Sequence, residues 1–505
     1  MSSAPSVSGD ASARGIQLTE RALNFLAIAA VLLTLAIAMA HYSTVMFDVV
    51  GVLLLLSLAY ACWHWPQATL ITLAIIPLFD RYVVNLFIPS DLHIIARLFS
   101  EGLLTVAAVV ISAKAIRDGR FLPALWQPTT IALGAFVALA IASAIINTVA
   151  PTNAAFGIAF TVDAMAVFFL AAMVPWRADH LKVLVGVIVA IAAVAAILAV
   201  AQVVLSSTIL GLSASSGRFG EGDRVGSFFG GNPNILGAML AVATPFCFYG
   251  AVELSERRWR WASAGVALLL VVALLFTFSR GAWFGLGAAT VVTSVLLRPR
   301  VLIVAALISV VAFGLANVLP RNILTATANG GETDIVGSTF ERFATIGEGN
   351  DLRVRFIDQG LEVLARDPIL GVGPGQYGGA VAQTYGSSVY AELGAQAPER
   401  TVDNFWLHLL VEMGILGTLA YIAIYLVAAW RLWVPAWRSR GLRLVFLAGA
   451  LTAMGALAVD SITEMILEGN TYSMLAWLLF GATAAVYWPI RHSASPPTEE
   501  PAGQN

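Results

Sequence analysis

Residues 261–319 read WASAGVALLLVVALLFTF SRG AWFGLGAATVVTSVLL RPR VLIVAALISVVAFGLANVL. Three apolar runs, near 261–278, 281–297 and 301–319, are separated only by short segments that carry arginine. A helix rises 1.5 Å per residue, so each run is long enough to cross a hydrocarbon core of ~30 Å. Inside lipid the backbone has no water to bond, so the runs must be helices and the arginine segments the turns between them. The expected fold class is all-α: a polytopic membrane helix bundle.

Composition carries this reading along the chain. The protein is 59% hydrophobic and 11% charged, with a mean hydropathy of +0.84. A soluble domain carries roughly 25% charged residues. Further spanning runs lie near 23–40, 45–62, 67–88, 97–113, 128–147, 156–174, 183–205, 232–252, 404–430, 442–462 and 472–489, which brings the total to about fourteen. The run at 23–40 ends in Ala38-Met39-Ala40, like a signal-peptidase site. Its length suits an uncleaved first helix better. The net charge of −2 gives no basic field and no case for nucleic acid. Cys62 and Cys247 fall inside predicted spans and read as small buried residues, not as a disulfide or metal pair.

Arginine and lysine orient the chain. Alternate connections carry Lys114/Arg117/Arg120, Arg177/Lys182, Arg257/Arg258/Arg260, Arg298/Arg300 and Arg431/Arg438/Arg440/Arg443. With Arg14, Arg21 and Arg491, about 17 of the 28 basic residues fall on one side, which is the cytoplasm. Both termini are expected there. The organisation read from this is a disordered N-terminus (1–22), membrane helices one to eleven (23–319), a periplasmic loop (320–402), helices twelve to fourteen (403–490) and a disordered tail (491–505). Within the loop, DLRVRFIDQGLEVLAR (351–366) predicts an amphipathic helix with Leu352, Phe356, Leu361 and Leu364 on its apolar face. Asp367-Pro368 stops it, and Gly371-Val372-Gly373-Pro374-Gly375 is a turn. No strand precedes that turn and no Lys-Ser/Thr follows it, so it is not a nucleotide loop.

Three outer clusters carry candidate chemistry. RFGEGDRVGSFFGGNPN (218–234) sets Arg218 and Arg224 among glycines just before a helix that opens on Asn232-Pro233-Asn234. Helix N-termini favour anions, although solvated arginines in an ordinary loop fit the same pattern. Ser279-Arg280-Gly281 puts an arginine at a membrane-surface turn, where it would serve a site or reach lipid phosphates. The third cluster is Asp403-Asn404 followed by His408 and Glu412, with Asn404, His408 and Glu412 at i, i+4, i+8 on one expected helical stripe. Such a stripe faces protein, either as part of a site or as hydrogen-bonded packing.

In order, these segments resemble the O-antigen ligase and O-antigen/exopolysaccharide polymerase superfamily of bacterial membrane glycan transferases. The matching residues are Arg224…Pro233-Asn234, then Ser279-Arg280, then Arg353…Asp367-Pro368-Ile369-Leu370-Gly371-Val372-Gly373. Asn404 follows, then nine residues, then Gly414-Ile415-Leu416-Gly417. The likeness covers about 215–420. Three departures stand out. Asp403 replaces the histidine of a His-Asn pair, the Arg224-to-Asn234 spacing is about one residue off, and Ile357 stands where an aromatic is usual.

The resemblance implies glycan transfer at the periplasmic face. An undecaprenyl-pyrophosphate-linked oligosaccharide would be the donor and a sugar hydroxyl on another lipid-linked repeat the acceptor. No cofactor and no metal would be needed, and a chain-length regulator would be the protein partner. Asp403 and Arg280 would be catalytic. Arg218, Arg224, Arg280 and Arg353 would bind the pyrophosphate, and Asn234, Asn404, His408 and Glu412 would support them. The Asp-Asn pair points to a polymerase. The alternatives are a ligase to lipid A core, and a transporter of lipid-linked glycan or small anions with Asp48, Asp163 and Asp460 as coupling sites.

Overall fold

The computed structural model describes residues 44–87, 93–205, 225–227, 232–319, 352–398, 401–468 and 470–487. The expected first span, 23–40, and both termini lie outside the described residues. So does most of the connection holding Arg218 and Arg224, and the first part of the long loop expected at 320–402.

Among the described residues the chain is all helix and turn, with no strand. Its long helices are α1 (Thr44–His64), α2 (Pro66–Phe87), α3 (His93–Arg117), α4 (Pro128–Ile146), α5 (Pro151–Met173), α6 (Ala178–Leu205) and α7 (Pro233–Glu253). After them come α8 (Arg257–Thr277), α9 (Arg280–Leu297), α10 (Pro299–Val318), α11 (Leu352–Leu364), α12 (Phe405–Trp437), α13 (Gly441–Asp460) and α14 (Asn470–Tyr487). Apart from α11, each falls on one of the apolar runs. Proline opens five of them (Pro66, Pro128, Pro151, Pro233 and Pro299), where its missing N–H has no intrahelical partner to lose.

α7 runs through the middle of the bundle and is almost wholly buried. α9 crosses α13 closely because two glycines let it. A Cβ on Gly285 would collide with the Ala456 carbonyl, and one on Gly281 with the Asp460 and Thr463 side chains. With lipid as solvent, such small-residue contacts hold helices together by close packing. The outward faces carry bare Leu56, Val109, Ile145, Val310 and Leu426, the side chains a bilayer would cover.

The two ends of the bundle differ. At one end Glu253 joins Arg298 at 3.1 Å and the Gly441 N–H at 2.9 Å, while Arg298 also donates to Ser439 O at 2.7 Å. At the other end α9 begins and α13 ends. There the Phe405 N–H donates to Ser461 O at 3.0 Å, and Trp406 Nε1 to Ala458 O at 2.8 Å.

The amphipathic helix of the loop forms as α11, but its buried face differs from the expected one. Phe356, Gln359, Gly360 and Val363 are buried, while Leu361 is exposed. The reason is the neighbour: Gly360 sits against the Leu407 side chain of α12. Phe356, Val363, Tyr377, Val389, Val402, Leu407 and Val411 form a small core of their own, which includes the first turns of α12.

Candidate functional site

α12 was expected to be one continuous helix, and it is broken. Gly414 has φ 61 and ψ −170, a conformation essentially reserved for glycine. A break strands backbone groups: the carbonyls of Val411 and Glu412, and the N–H groups of Ile415 and Leu416, lose each other as partners. The glycine-rich turn takes up all four. Val372 N–H donates to Val411 O at 3.0 Å and Gly373 N–H to Glu412 O at 2.9 Å. In return, Ile415 N–H donates to Pro368 O at 2.9 Å and Leu416 N–H to Ile369 O at 3.2 Å. Buried backbone groups require such partners, so the Pro368–Gly373 turn and the Gly414–Gly417 motif are two halves of one joint. The turn is also clamped from α4 and α5. Ser143 Oγ donates to Leu370 O at 2.8 Å, Asn147 Nδ2 to Gly371 O at 2.9 Å, and Asn153 Nδ2 to Gly375 O at 3.2 Å.

His408 and Glu412, both buried, fasten the rest of the turn. The Glu412 carboxylate accepts the N–H of Gly375 and of Tyr377, each at 2.8 Å. His408 Nδ1 lies 2.6 Å from Tyr377 O, so that nitrogen carries the proton. Its Nε2 faces Glu412 Oε2 at 3.7 Å and Glu468 Oε1 at 3.9 Å. Tyr377 donates its hydroxyl to Phe356 O at 2.9 Å, which ties the turn to α11. Burial pushes the Tyr377 phenol above its ordinary range, so it stays a donor. Tyr390 accepts the Gly378 N–H at 3.2 Å, and burial pushes its phenol up to about 12.

Asn404 is the N-cap of α12, accepting the Leu407 N–H at 3.0 Å, and stands off the helical stripe in extended backbone. The three residues expected at i, i+4, i+8 thus divide into one cap and two side chains that grip the turn. Asp403, half-buried, immediately precedes the cap. Asp403 is thus not the N-cap of α12.

The candidate segments meet at the turn Asp460-Ser461-Ile462-Thr463-Glu464 at the end of α13, of which the sequence reading named Asp460 alone, as a coupling site of the transporter alternative. Asn234, in the first turn of α7, donates its amide to Glu464. Gly281, directly after Arg280, lies under the Asp460 and Thr463 side chains. Phe405, two residues after Asp403, bonds Ser461 O. Arg280 is half-buried as the first residue of α9, and Ser279 before it is buried. Asp460 is fully buried, and neither carboxylate oxygen has a hydrogen-bond partner. The available signal was the spacing of Asp460, Glu464 and Glu468 at four-residue intervals in an outer connection. Arg353 lies in the first turn of α11, its side chain outside the described residues, as are Arg218 and Arg224 altogether. Asp163 is half-buried in α5, and the Asp48 side chain is not among those described. Among the described residues no group of three His, Cys, Asp or Glu side chains is arranged to hold a metal.

A bundle of long apolar helices with lipid-facing outer surfaces defines a polytopic membrane protein, and its arginine turn, buried carboxylate and docked loop gather at one end. Residues 265–422 match the family model described as O-Antigen ligase. That stretch contains α9, the loop, its joint and the first part of α12, and over it the chain is similar to the O-antigen ligase family. No curated protein matches the chain.

Proposed function

We propose that the protein is a glycan polymerase. It transfers an oligosaccharide from undecaprenyl pyrophosphate to a sugar hydroxyl of another lipid-linked repeat, at the periplasmic face of a bacterial inner membrane. The supporting observation is the convergence on the 460–464 turn, which has the Ser279-Arg280-Gly281 turn on one side and the Asp403-Asn404 start of α12 on the other.

In this reading Arg280, with Arg218, Arg224 and Arg353, holds the diphosphate. The planar guanidinium fork matches paired phosphate oxygens, and its charge offsets that of the leaving group. The acceptor hydroxyl oxygen bonds to the anomeric carbon of the donor sugar as the bond from that carbon to the pyrophosphate oxygen breaks. The hydroxyl proton passes to Asp403, and undecaprenyl pyrophosphate departs. Asn404 fixes the start of α12 and so the position of Asp403. His408 and Glu412 act one step back, by holding the loop in place.

Because Asn404 supplies the cap, Asp403→Asn removes a base without touching helix capping. General-base catalysis contributes on the order of 10²–10⁴ in rate. The variant should therefore insert normally, bind donor and lose polymer. Wild-type polymer length and yield from Asp403→Asn would refute the assignment.

The second reading is a ligase to lipid A core, favoured by the description of the matching family. The acceptor separates the two. A polymerase lengthens lipid-linked repeats in membranes without lipid A core, and a ligase does not.

A further inference from the structure

A second polar site lies at the opposite end of the bundle. Arg431 is about 17 residues beyond Gly414 on α12, which places it roughly 26 Å along the helix from the joint. There a cavity of about 210 Å³ is lined by Arg120, Gln127, Trp176 and Arg431, with Phe168 and residues of α14 forming an apolar wall. Among the described residues no carboxylate side chain lines it.

Arg431 and Gln127 are more than nine-tenths buried, at 8% and 6% exposure. Arg431 donates to Gln127 Oε1, which fixes the amide so that Nε2 is the other atom. That Nε2 is buried and has no hydrogen-bond partner. The residue cannot swing away, since its backbone N–H is committed to Ala124 O at 3.3 Å and it directly precedes α4. Trp176 Nε1 is committed to Ala171 O at 2.9 Å, so the indole offers the cavity its apolar surface only.

A buried amide donor without an acceptor is costly, on the order of 1–3 kcal/mol. Here Gln127 lines a cavity together with two guanidinium groups, at the N-terminus of α4, whose dipole also favours an anion. Among the lining side chains the charges are all positive, and the one side-chain acceptor, Gln127 Oε1, is already taken by Arg431. The geometry points to a binding site for a phosphate-bearing anion. The volume is below the ~300–1,000 Å³ of clefts that hold drug-sized ligands, so it suits a phosphate with a small substituent. The apolar wall and the tryptophan place the start of an acyl chain beside it. An anionic phospholipid headgroup offers both chemistries, and free phosphate offers the first alone. The site is separate from the proposed transfer chemistry and does not rest on it.

The test uses full-length protein purified in detergent and stripped of lipid, with thermal unfolding followed by tryptophan fluorescence. Phosphatidylglycerol, phosphatidylcholine and inorganic phosphate are the probes. Phosphatidylglycerol should raise the melting temperature in a saturable way, and zwitterionic phosphatidylcholine should not. An equal saturable shift from inorganic phosphate would assign the free anion as the ligand. Gln127→Glu is the decisive variant. Its carboxylate can pair with Arg431, so the fold is kept, but it removes the donor and sets a negative charge against the phosphate. Apparent affinity should fall by about tenfold or more. Arg120→Gln, at a half-buried position, should weaken binding in the same direction. The proposal is overturned if neither phosphatidylglycerol nor phosphate shifts the wild type. It is also overturned if Gln127→Glu responds as the wild type does.

Discussion

Replacing Gly414 by alanine tests the joint between loop and helix directly. The new Cβ would meet the Ile369 carbonyl and the Gly371 N–H, both backbone atoms that cannot rotate aside. Holding a non-glycine residue in that backbone conformation costs about 1–3 kcal/mol. Straightening the helix instead would let Ile415 and Leu416 bond Val411 and Glu412 again. The turn would then lose its four backbone bonds, each with a net worth of about 1 kcal/mol. Either way, docking of the turn weakens by about 1–4 kcal/mol, which lowers the docked population by roughly fivefold to a thousandfold. The transmembrane part should survive, since the segment after the break, about 23 residues, spans a bilayer unaided. Gly414→Ala should therefore insert at wild-type level, expose 371–379 to protease added to the outer face, and abolish glycan transfer. Wild-type protease resistance together with wild-type glycan would refute the idea that the break is held by the turn.

Arg280→Lys keeps the charge but loses the two-pronged geometry. Transfer should fall at least about tenfold at unchanged expression, measured as polymer formed from lipid-linked repeats in membranes; near-normal polymer would make Arg280 a lipid anchor. Reporter fusions should place 352–398 outside and the connection after α12, around Arg438 and Arg440, in the cytoplasm. A cytoplasmic report from 352–398 would remove the proposed reaction from its face of the membrane.

The membrane helices were legible because each depends on one local quantity, the length of an apolar run. Thirteen of the expected spans have a described helix on them, and proline marks where several begin. The break in α12 was not legible. Gly414 sits in HLLVEMGILGTL, where glycine reads as a tolerated small residue. What makes the break affordable is a set of donors and acceptors more than forty positions earlier, at Pro368–Gly373. His408 and Glu412 were recognisable as facing protein, yet their partners are backbone N–H and C=O groups of a turn, which leave no trace in side-chain identity. Gly371–Gly375 read as an ordinary turn for the same reason. The 460–464 turn carries the outer segments but has no dense motif. Its importance comes from where α13 stops, beneath the α9 glycines, and that is a matter of packing alone.

The joint at Gly414 also says what kind of change this region tolerates. Its four bonds run from main chain to main chain, and Ile369, in the middle of the turn, is 60% exposed. Side chains at Ile369 are therefore free to drift as long as the glycines keep their conformations. Length is not free. One residue added between Pro368 and Gly373 would put the bonds to Ile415 and Leu416 out of step with those to Val411 and Glu412, although loop and helix would each look intact by itself. Over time such a segment varies in spelling and holds its count.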